Sequence, residues 1–259
     1  MNAIDPTLDP ALLAFAIIVL GAYLVQTAIG FGSMLICVTF GAQFLQLEEV
    51  IRLAIPLSFL QTGYIVLRHS EGVRWPLLLR RVLPLMALGM AAAFAVLAAV
   101  RGPGLGLAFG VMVLVLSAHD IRKLRHADAA ASEPPISLGA SIAALFSAGF
   151  IHGIYASGGP MLVYAIGREG LGKRDFRSTL CMIWILLNVI LVARFVSVRA
   201  YQPGDLYRVL VLLPAVPIGI VLGEWVHHRV DERRFRMAVL VLLLAAAISL
   251  ILRYGAQLL

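Results

Sequence analysis

The chain of 259 residues is poor in charge and in cysteine. Charged residues make up 14% of it, against about 25% in ordinary soluble domains. Its apolar stretches are too long and too many for one buried core, which excludes a cytosolic enzyme and a disordered chain. The two cysteines, Cys37 and Cys181, lie inside apolar stretches. This position excludes a secreted disulfide scaffold and indicates two packing residues.

The sequence has neither the large basic cluster of a nucleic-acid-binding protein nor the basic N-terminal region of a signal peptide. The 21 Lys and Arg residues give a net charge of +7. They are scattered singly or in short clusters between apolar segments, as in membrane loops, so we expect no nucleic-acid partner. The N-terminus lacks the basic region of a cleaved signal peptide, so we expect the first apolar segment to be retained.

What the chain does contain is a series of apolar stretches, most of them near the 20 or so residues that cross a bilayer as a helix. They predict an all-α polytopic membrane protein. The second and the seventh stretch follow glycine-rich segments that break a helix, residues 30–33 (GFGS) and 157–160 (SGGP). The stretches are 11–27, 31–47, 50–67, 76–99, 103–121, 137–152, 158–167, 178–197, 207–224 and 235–254.

Loop charge favours a hairpin at each break over a single kinked crossing. If each broken pair enters and leaves on one side, 15 of the 21 Lys and Arg residues fall on one side of the membrane and 6 on the other. If each pair crosses once, the split is 11 against 10. The positive-inside rule then places both termini outside and residues 122–136 inside. A re-entrant hairpin and two full spans have the same parity, so both stay open.

The two halves of the chain resemble each other. Residues 83–89 (LPLMALG) match residues 213–219 (LPAVPIG), and the two glycine-rich breaks match as well. A hairpin and three crossings form an odd number of passes, so we predict two inverted repeats, the architecture of many secondary transporters. The repeats are 1–121 (hairpin 11–47; helices 50–67, 76–99, 103–121) and 137–259 (hairpin 137–167; helices 178–197, 207–224, 235–254), joined by the cytoplasmic linker 122–136.

The interior of these stretches is suited to an anion. None of the 14 Asp and Glu residues falls in the middle of a stretch, which argues against a carboxylate-based proton antiporter and a cation pore. A half-helix that begins after a glycine-rich break presents free N–H groups and a positive dipole end to an oxyanion. The candidate substrate-binding residues are Gln26, Gly30, Phe31, Gly32, Ser33, Gln61, His152, Tyr155, Ser157, Gly158, Gly159 and Asn188. Thr27, Ser58, Thr62 and Trp184 are polar residues near the same breaks.

Each candidate also has a structural interpretation. The glycines allow tight helix packing, and the amides and hydroxyls form hydrogen bonds between helices. His152 is either a proton-sensitive gate or a neutral histidine bonded to a carbonyl. Arg52 and Arg177, at the starts of corresponding helices, are either anion-attracting vestibule residues or helix-end arginines that reach the membrane surface.

The second half resembles the TauE/SafE-type sulfite exporter family. Residues 149–160 (GFIHGIYASGGP), 173–180 (KRDFRSTL) and Asn188 carry the resemblance, and the first-half break and the duplication agree with it. The resemblance implies a bacterial plasma-membrane permease for small sulfur-containing anions such as sulfite, sulfoacetate or other organosulfonates. His152 and Pro160 depart from the family pattern and leave the particular substrate open.

We therefore expect an exporter of small sulfur oxyanions in the bacterial inner membrane that works by alternating access, without cofactor or metal. A permease for small organic carboxylates is the alternative. An intramembrane enzyme needs a cluster of Asp, Glu, His or Cys, which the sequence does not offer. The oligomeric state stays open, a homodimer included.

Overall fold

The computed structural model describes residues 9–29, 31–100, 102–126 and 136–258, and none of these residues forms a strand. Eight helical segments in these ranges are long and apolar enough to cross a membrane. The prediction of an all-α polytopic membrane protein is thereby confirmed. The helices are α1 (Pro10–Ile29), α2 (Ser33–Gly41), α3 (Leu47–His69), α4 (Trp75–Leu77), α5 (Leu83–Ala99), α6 (Pro103–His126), α7 (Leu138–Tyr155), α8 (Gly159–Ile166), α9 (Lys173–Ser197), α10 (Asp205–Leu212), α11 (Ala215–Arg229) and α12 (Glu232–Gly255).

The helix bounds depart from the apolar stretches at particular residues. Helix α9 begins at Lys173 rather than at residue 178, because a helix continues through charged residues after it leaves the apolar layer. The predicted stretch 207–224 is divided into α10 and α11 next to Pro214, whose ring clashes with the preceding turn and which lacks an N–H group. Pro84 follows a π-helical turn, Leu78–Val82, at the start of α5.

Helices α2 and α8 reach only part of the way across a bilayer. They have nine and eight residues, or about 12–13 Å at 1.5 Å per residue, against a hydrocarbon core of about 30 Å. Each folds back on the helix before it. Gly41, at the end of α2, lies against the ring of Phe15 in α1, and Gly158, before α8, lies against the carbonyl of Ala148 in α7.

One arginine connects the beginning of the first helix of each hairpin with the segment that follows its short second helix. Arg81 donates to Ser141 Oγ at the start of α7 and to Glu169 after α8, both at 2.6 Å. Arg208 pairs with Asp9 before α1 (3.9 Å) and with Glu49 at the start of α3. We call the Arg81 side, where α6 ends and α7 begins, the linker end. We call the Arg208 side, where α1 begins, the terminal end.

The glycine that closes each matched segment packs against the hairpin of the other half. A Cβ atom at Gly89 of α5 would lie 2.1 Å from the carbonyl oxygen of Phe146 in α7. A Cβ atom at Gly219 of α11 would lie 2.6 Å from the carbonyl oxygen of Leu20 in α1. Backbone-to-backbone approach of this kind is how membrane helices associate closely.

Candidate functional site

A small cavity lies between the two helix breaks, near the middle of the bundle. Its volume is about 40 Å³ for the centre of a water-sized sphere, roughly three times the 10–15 Å³ that one water needs. It therefore has room for a small anion or for the head of a larger one. Its lining residues are Gln26, Phe31, Gly32, Ser33, Met34, Leu35, Ser58, Thr62, His152, Ala156, Ser157, Gly159, Pro160, Trp184 and Asn188. We call it the central cavity.

The N-termini of α2 and α8 both open into this cavity, and their N-cap residues, Gly32 and Gly158, have no side chain that could cap them. Gly32 has φ of +106°, a left-handed conformation that glycine adopts without steric cost and that directs the chain into α2. The Ser33 N–H donates to Oε1 of Gln26 at 3.1 Å. The remaining first-turn N–H groups carry partial positive charge toward the cavity; in α8 these exclude Pro160, which has no N–H.

Asn188 of α9 connects the two halves across the cavity. Its Nδ2 donates to Ser58 Oγ at 2.8 Å, and the Ser58 hydroxyl donates to the carbonyl of Ile55 at 2.7 Å. The Asn188 Oδ1 atom then faces Nε2 of His152 at 3.2 Å. Because Oδ1 only accepts, this arrangement assigns the imidazole proton to Nε2.

Two buried polar atoms of the lining residues have no hydrogen-bond partner among the described residues, Ser157 Oγ and His152 Nδ1. The hydroxyl can donate to a ligand as it stands. The Nδ1 atom can donate only when the imidazole carries a second proton. The His152 ring stacks on Trp184 with ring centroids 5.3 Å apart, which fixes its plane at the cavity wall.

The two glycines of the second break occupy different surroundings. A Cβ atom at Gly158 would lie 2.1 Å from the carbonyl oxygen of Ala148, and Gly158 does not line the cavity. A Cβ atom at Gly159 would meet only Phe31 and Trp184, both at 3.9 Å. Gly158 allows the chain to reverse, whereas Gly159 faces the cavity.

Most of the predicted substrate-binding residues come together at this cavity, and three do not. Tyr155 points toward α6, where its hydroxyl donates to Leu105 O at 2.9 Å. Gln61 is buried beside the cavity and donates to Thr27 Oγ1 at 2.7 Å. Gly158 packs against α7. Gly30 lies outside the described residues.

The two predicted vestibule arginines lie at opposite ends of the molecule. Arg52 lines a larger cavity at the terminal end and is paired with Asp205 at 3.1 Å, a partner that the sequence analysis did not identify. Arg177 lies at the linker end of α9, and its Nε is buried without a hydrogen-bond partner among the described residues. It lines neither of these two cavities.

Four apolar residues of the cavity wall were not among the predicted site residues, Met34, Leu35, Ala156 and Pro160. Pro160 belongs to the second break, and the only sequence signal of the other three is that they flank a break. The wall contains no Asp, Glu, Lys or Arg, and no group of three or more His, Cys, Asp or Glu side chains suited to a metal is found in the described ranges. What the site offers a ligand is neutral donors and two helix N-termini, a set that favours an oxyanion.

One family of known proteins matches the chain. No curated protein and no solved structure matches the chain. Residues 14–250 match the family described as sulfite exporter TauE/SafE, a family of membrane transporters. Because this match covers nearly all of the 259 residues, the chain belongs to the TauE/SafE sulfite exporter family.

Proposed function

We propose that this protein exports small sulfur oxyanions, sulfite or a small organosulfonate such as sulfoacetate, across the bacterial inner membrane, and that the anion binds in the central cavity. One observation carries the proposal. The N-termini of two half-helices, each with a glycine at its N-cap position, open into one cavity whose wall contains no carboxylate. Such termini attract anions, and a carboxylate in the wall would repel them.

The volume of the cavity supports a small substrate. About 40 Å³ accommodates roughly three water-sized groups, which suits the three oxygens of sulfite or of a sulfonate head. The donors that line this space include Ser33 and Ser157, the Asn188 amide and N–H groups of the two half-helices. Neutral donors of this kind hold an oxyanion without a buried Lys or Arg, whose desolvation inside a membrane is costly.

We also propose that the chain consists of two inverted repeats, 1–121 and 137–259, that move relative to each other in alternating access. Two reciprocal features support this. Gly89 of the first half packs on the hairpin of the second, and Gly219 of the second packs on the hairpin of the first. Arg81 and Arg208 each connect the beginning of the hairpin of the other half with the segment that follows that hairpin, Arg81 at the linker end and Arg208 at the terminal end. The substrate lies where both breaks meet, as in other transporters built from inverted repeats.

The direction follows from the membrane potential. The cell interior is negative, so outward movement of one negative charge is favourable by about 2.3 kcal/mol per 100 mV. An importer would need a coupling cation or proton, and His152 is the only titratable side chain among the lining residues that could carry a proton. Export without a coupling ion is therefore the mode that the site supports.

Flux assays in proteoliposomes test the substrate class with matched pairs of anions. We expect methanesulfonate to be transported and acetate to be excluded, and sulfoacetate to be preferred over malonate, which replaces the sulfonate by a carboxylate. Sulfite should be transported at least as well as methanesulfonate. Faster flux of acetate and malonate would instead identify a carboxylate permease, and failure of every anion would refute transport of this class.

A further inference from the structure

A second and larger cavity lies at the terminal end, next to the central one. Its volume is about 300 Å³ for the centre of a water-sized sphere. Helix α7 separates the two cavities by a single turn: His152 and Ala156 line the central cavity, while Gly153 and Ile154 line the larger one. We call the larger cavity the vestibule.

The vestibule contains a cation that is not neutralised. Three of its lining residues are charged, Glu48, Arg52 and Arg194. Arg52 is held by Asp205 at 3.1 Å, and Asp205 also accepts the Gln202 N–H at 2.9 Å. Arg194 has no carboxylate within 4 Å among the described residues, and its Nη1 is buried without an acceptor.

Arg194 is also oriented for a ligand. Its guanidinium carbon lies 5.6 Å from the ring centroid of Phe94, a contact with one face of the group. Because Nη1 is buried, a ligand would bind at the edge formed by Nε and Nη2. Its side chain is half-buried, whereas Glu48 is exposed. Solvent therefore screens the carboxylate more strongly than the guanidinium.

We propose that Arg194 forms a second anion-binding site in the vestibule, which holds a sulfite or sulfonate group by two N–H donors on the terminal side of the central cavity. The planar fork of arginine matches two oxygens of such a group, which a lysine cannot do. An anion that leaves the central cavity past the last turn of α7 would meet this cation next. The identity of the anion rests on the proposed function, but the presence of an anion site does not.

A labelling experiment on the full-length protein in detergent tests this site. Leu97 lines the vestibule, so Leu97→Cys, in a background with Cys37→Ala and Cys181→Ala, reports whether the vestibule is occupied. N-ethylmaleimide is a suitable reagent because it is neutral. Methanesulfonate is titrated against chloride at constant ionic strength, since sulfite itself reacts with the reagent. We expect methanesulfonate to slow the labelling of residue 97 severalfold.

The arginine variants decide whether Arg194 is responsible. Protection should disappear with Arg194→Gln and be weakened with Arg194→Lys, which keeps the charge but not the fork. Arg199→Gln removes an equal charge from an exposed position at the same end and should leave protection intact. Equal protection in the Arg194→Gln protein, or none when Arg194 is present, would overturn the proposal. A variant that elutes as an aggregate in size-exclusion chromatography is replaced by Arg194→Met, for which the same loss is expected.

The experiment separates this inference from the proposed function. Labelling at residue 97 requires binding but no transport. If methanesulfonate protects the vestibule in a protein that transports no sulfonate, the proposed function fails and the second site stands. If sulfonates are transported and the vestibule is not protected, the second site fails alone.

Discussion

Three glycines of the second hairpin should respond differently to the same substitution. In Gly158→Ala the new methyl group would lie 2.1 Å from the carbonyl oxygen of Ala148, a backbone atom that cannot rotate away. Overpacking of this kind costs about 1–3 kcal/mol. We therefore expect Gly158→Ala to lower the melting temperature of the protein and its yield in the membrane.

In Gly159→Ala the methyl group meets no atom closer than 3.9 Å and enters the central cavity. The cavity has a volume of about 40 Å³, and one water-sized group takes up about 10–15 Å³ of it. The methyl group therefore removes roughly a third of the space. If it keeps the anion from one N–H group, the loss is about 1.5–3 kcal/mol, as for a hydrogen bond to a charged group. The dissociation constant should then rise roughly ten- to a hundredfold, at an unchanged melting temperature.

Gly139→Ala is the matched control, because no atom lies within 4 Å of a Cβ atom at this position in the first turn of α7. Alanine favours a helix over glycine by about 0.8–1.0 kcal/mol, so stability should not fall. Melting temperatures in detergent and anion flux in proteoliposomes are measured for all three variants. A stable, fully active Gly158→Ala protein would refute the close approach of α7 and α8. Normal affinity in Gly159→Ala would remove the N-terminus of α8 from the binding site.

Three further predictions concern the polar network, the topology and the driving force. Asn188→Ala should weaken anion affinity by about 1 kcal/mol or more, measured by flux at varied substrate concentration. Gln61 lies behind the cavity wall, so Gln61→Ala should lower stability and leave affinity unchanged. The opposite pattern would contradict the assignment of Asn188 to the cavity. Cysteines introduced at residue 104 and at residue 129 should react from outside and from inside, respectively, in intact cells, and outside labelling of residue 129 would exclude inverted repeats. An inside-negative potassium diffusion potential should speed efflux, with a limiting gradient of roughly fiftyfold per 100 mV for one charge. His152→Ala should keep that response, and strict dependence on a pH or Na⁺ gradient would refute uncoupled export.

The sequence predicts that the two helix breaks lie together, and the central cavity lies between them. The paired glycines of residues 30–33 and the Gly-Gly-Pro run of residues 157–160 favour a break in a helix, and α2 and α8 begin next to them. Polar residues within apolar stretches are rare enough to indicate an interior position, which is where Ser58 and Asn188 lie.

The direction of individual side chains could not be predicted in this way. Tyr155 is one residue from Ala156 of the cavity wall, yet its hydroxyl bonds to Leu105 of a different helix. Gly158 and Gly159 are neighbouring glycines that the sequence does not distinguish. In the structure only Gly158 packs against the backbone of Ala148. The pairing of Arg52 with Asp205 joins residues 153 positions apart in the chain. Each of these outcomes depends on contacts between helices that one sequence does not specify.

The distribution of charge explains how such a protein can bind an anion and still release it. A Lys or Arg side chain at the membrane centre costs about 2.5–3.5 kcal/mol or more, and it would hold a sulfur oxyanion tightly once paired. Here the wall of the central cavity contains no Asp, Glu, Lys or Arg, so in the proposed mode an anion is bound by neutral donors and by the partial charges of two helix ends. Conduction requires binding that is favourable enough to admit the ion and weak enough to let it leave. A full positive charge beside the cavity would attract the anion without binding it too tightly. Arg194, which lines the vestibule, has that position.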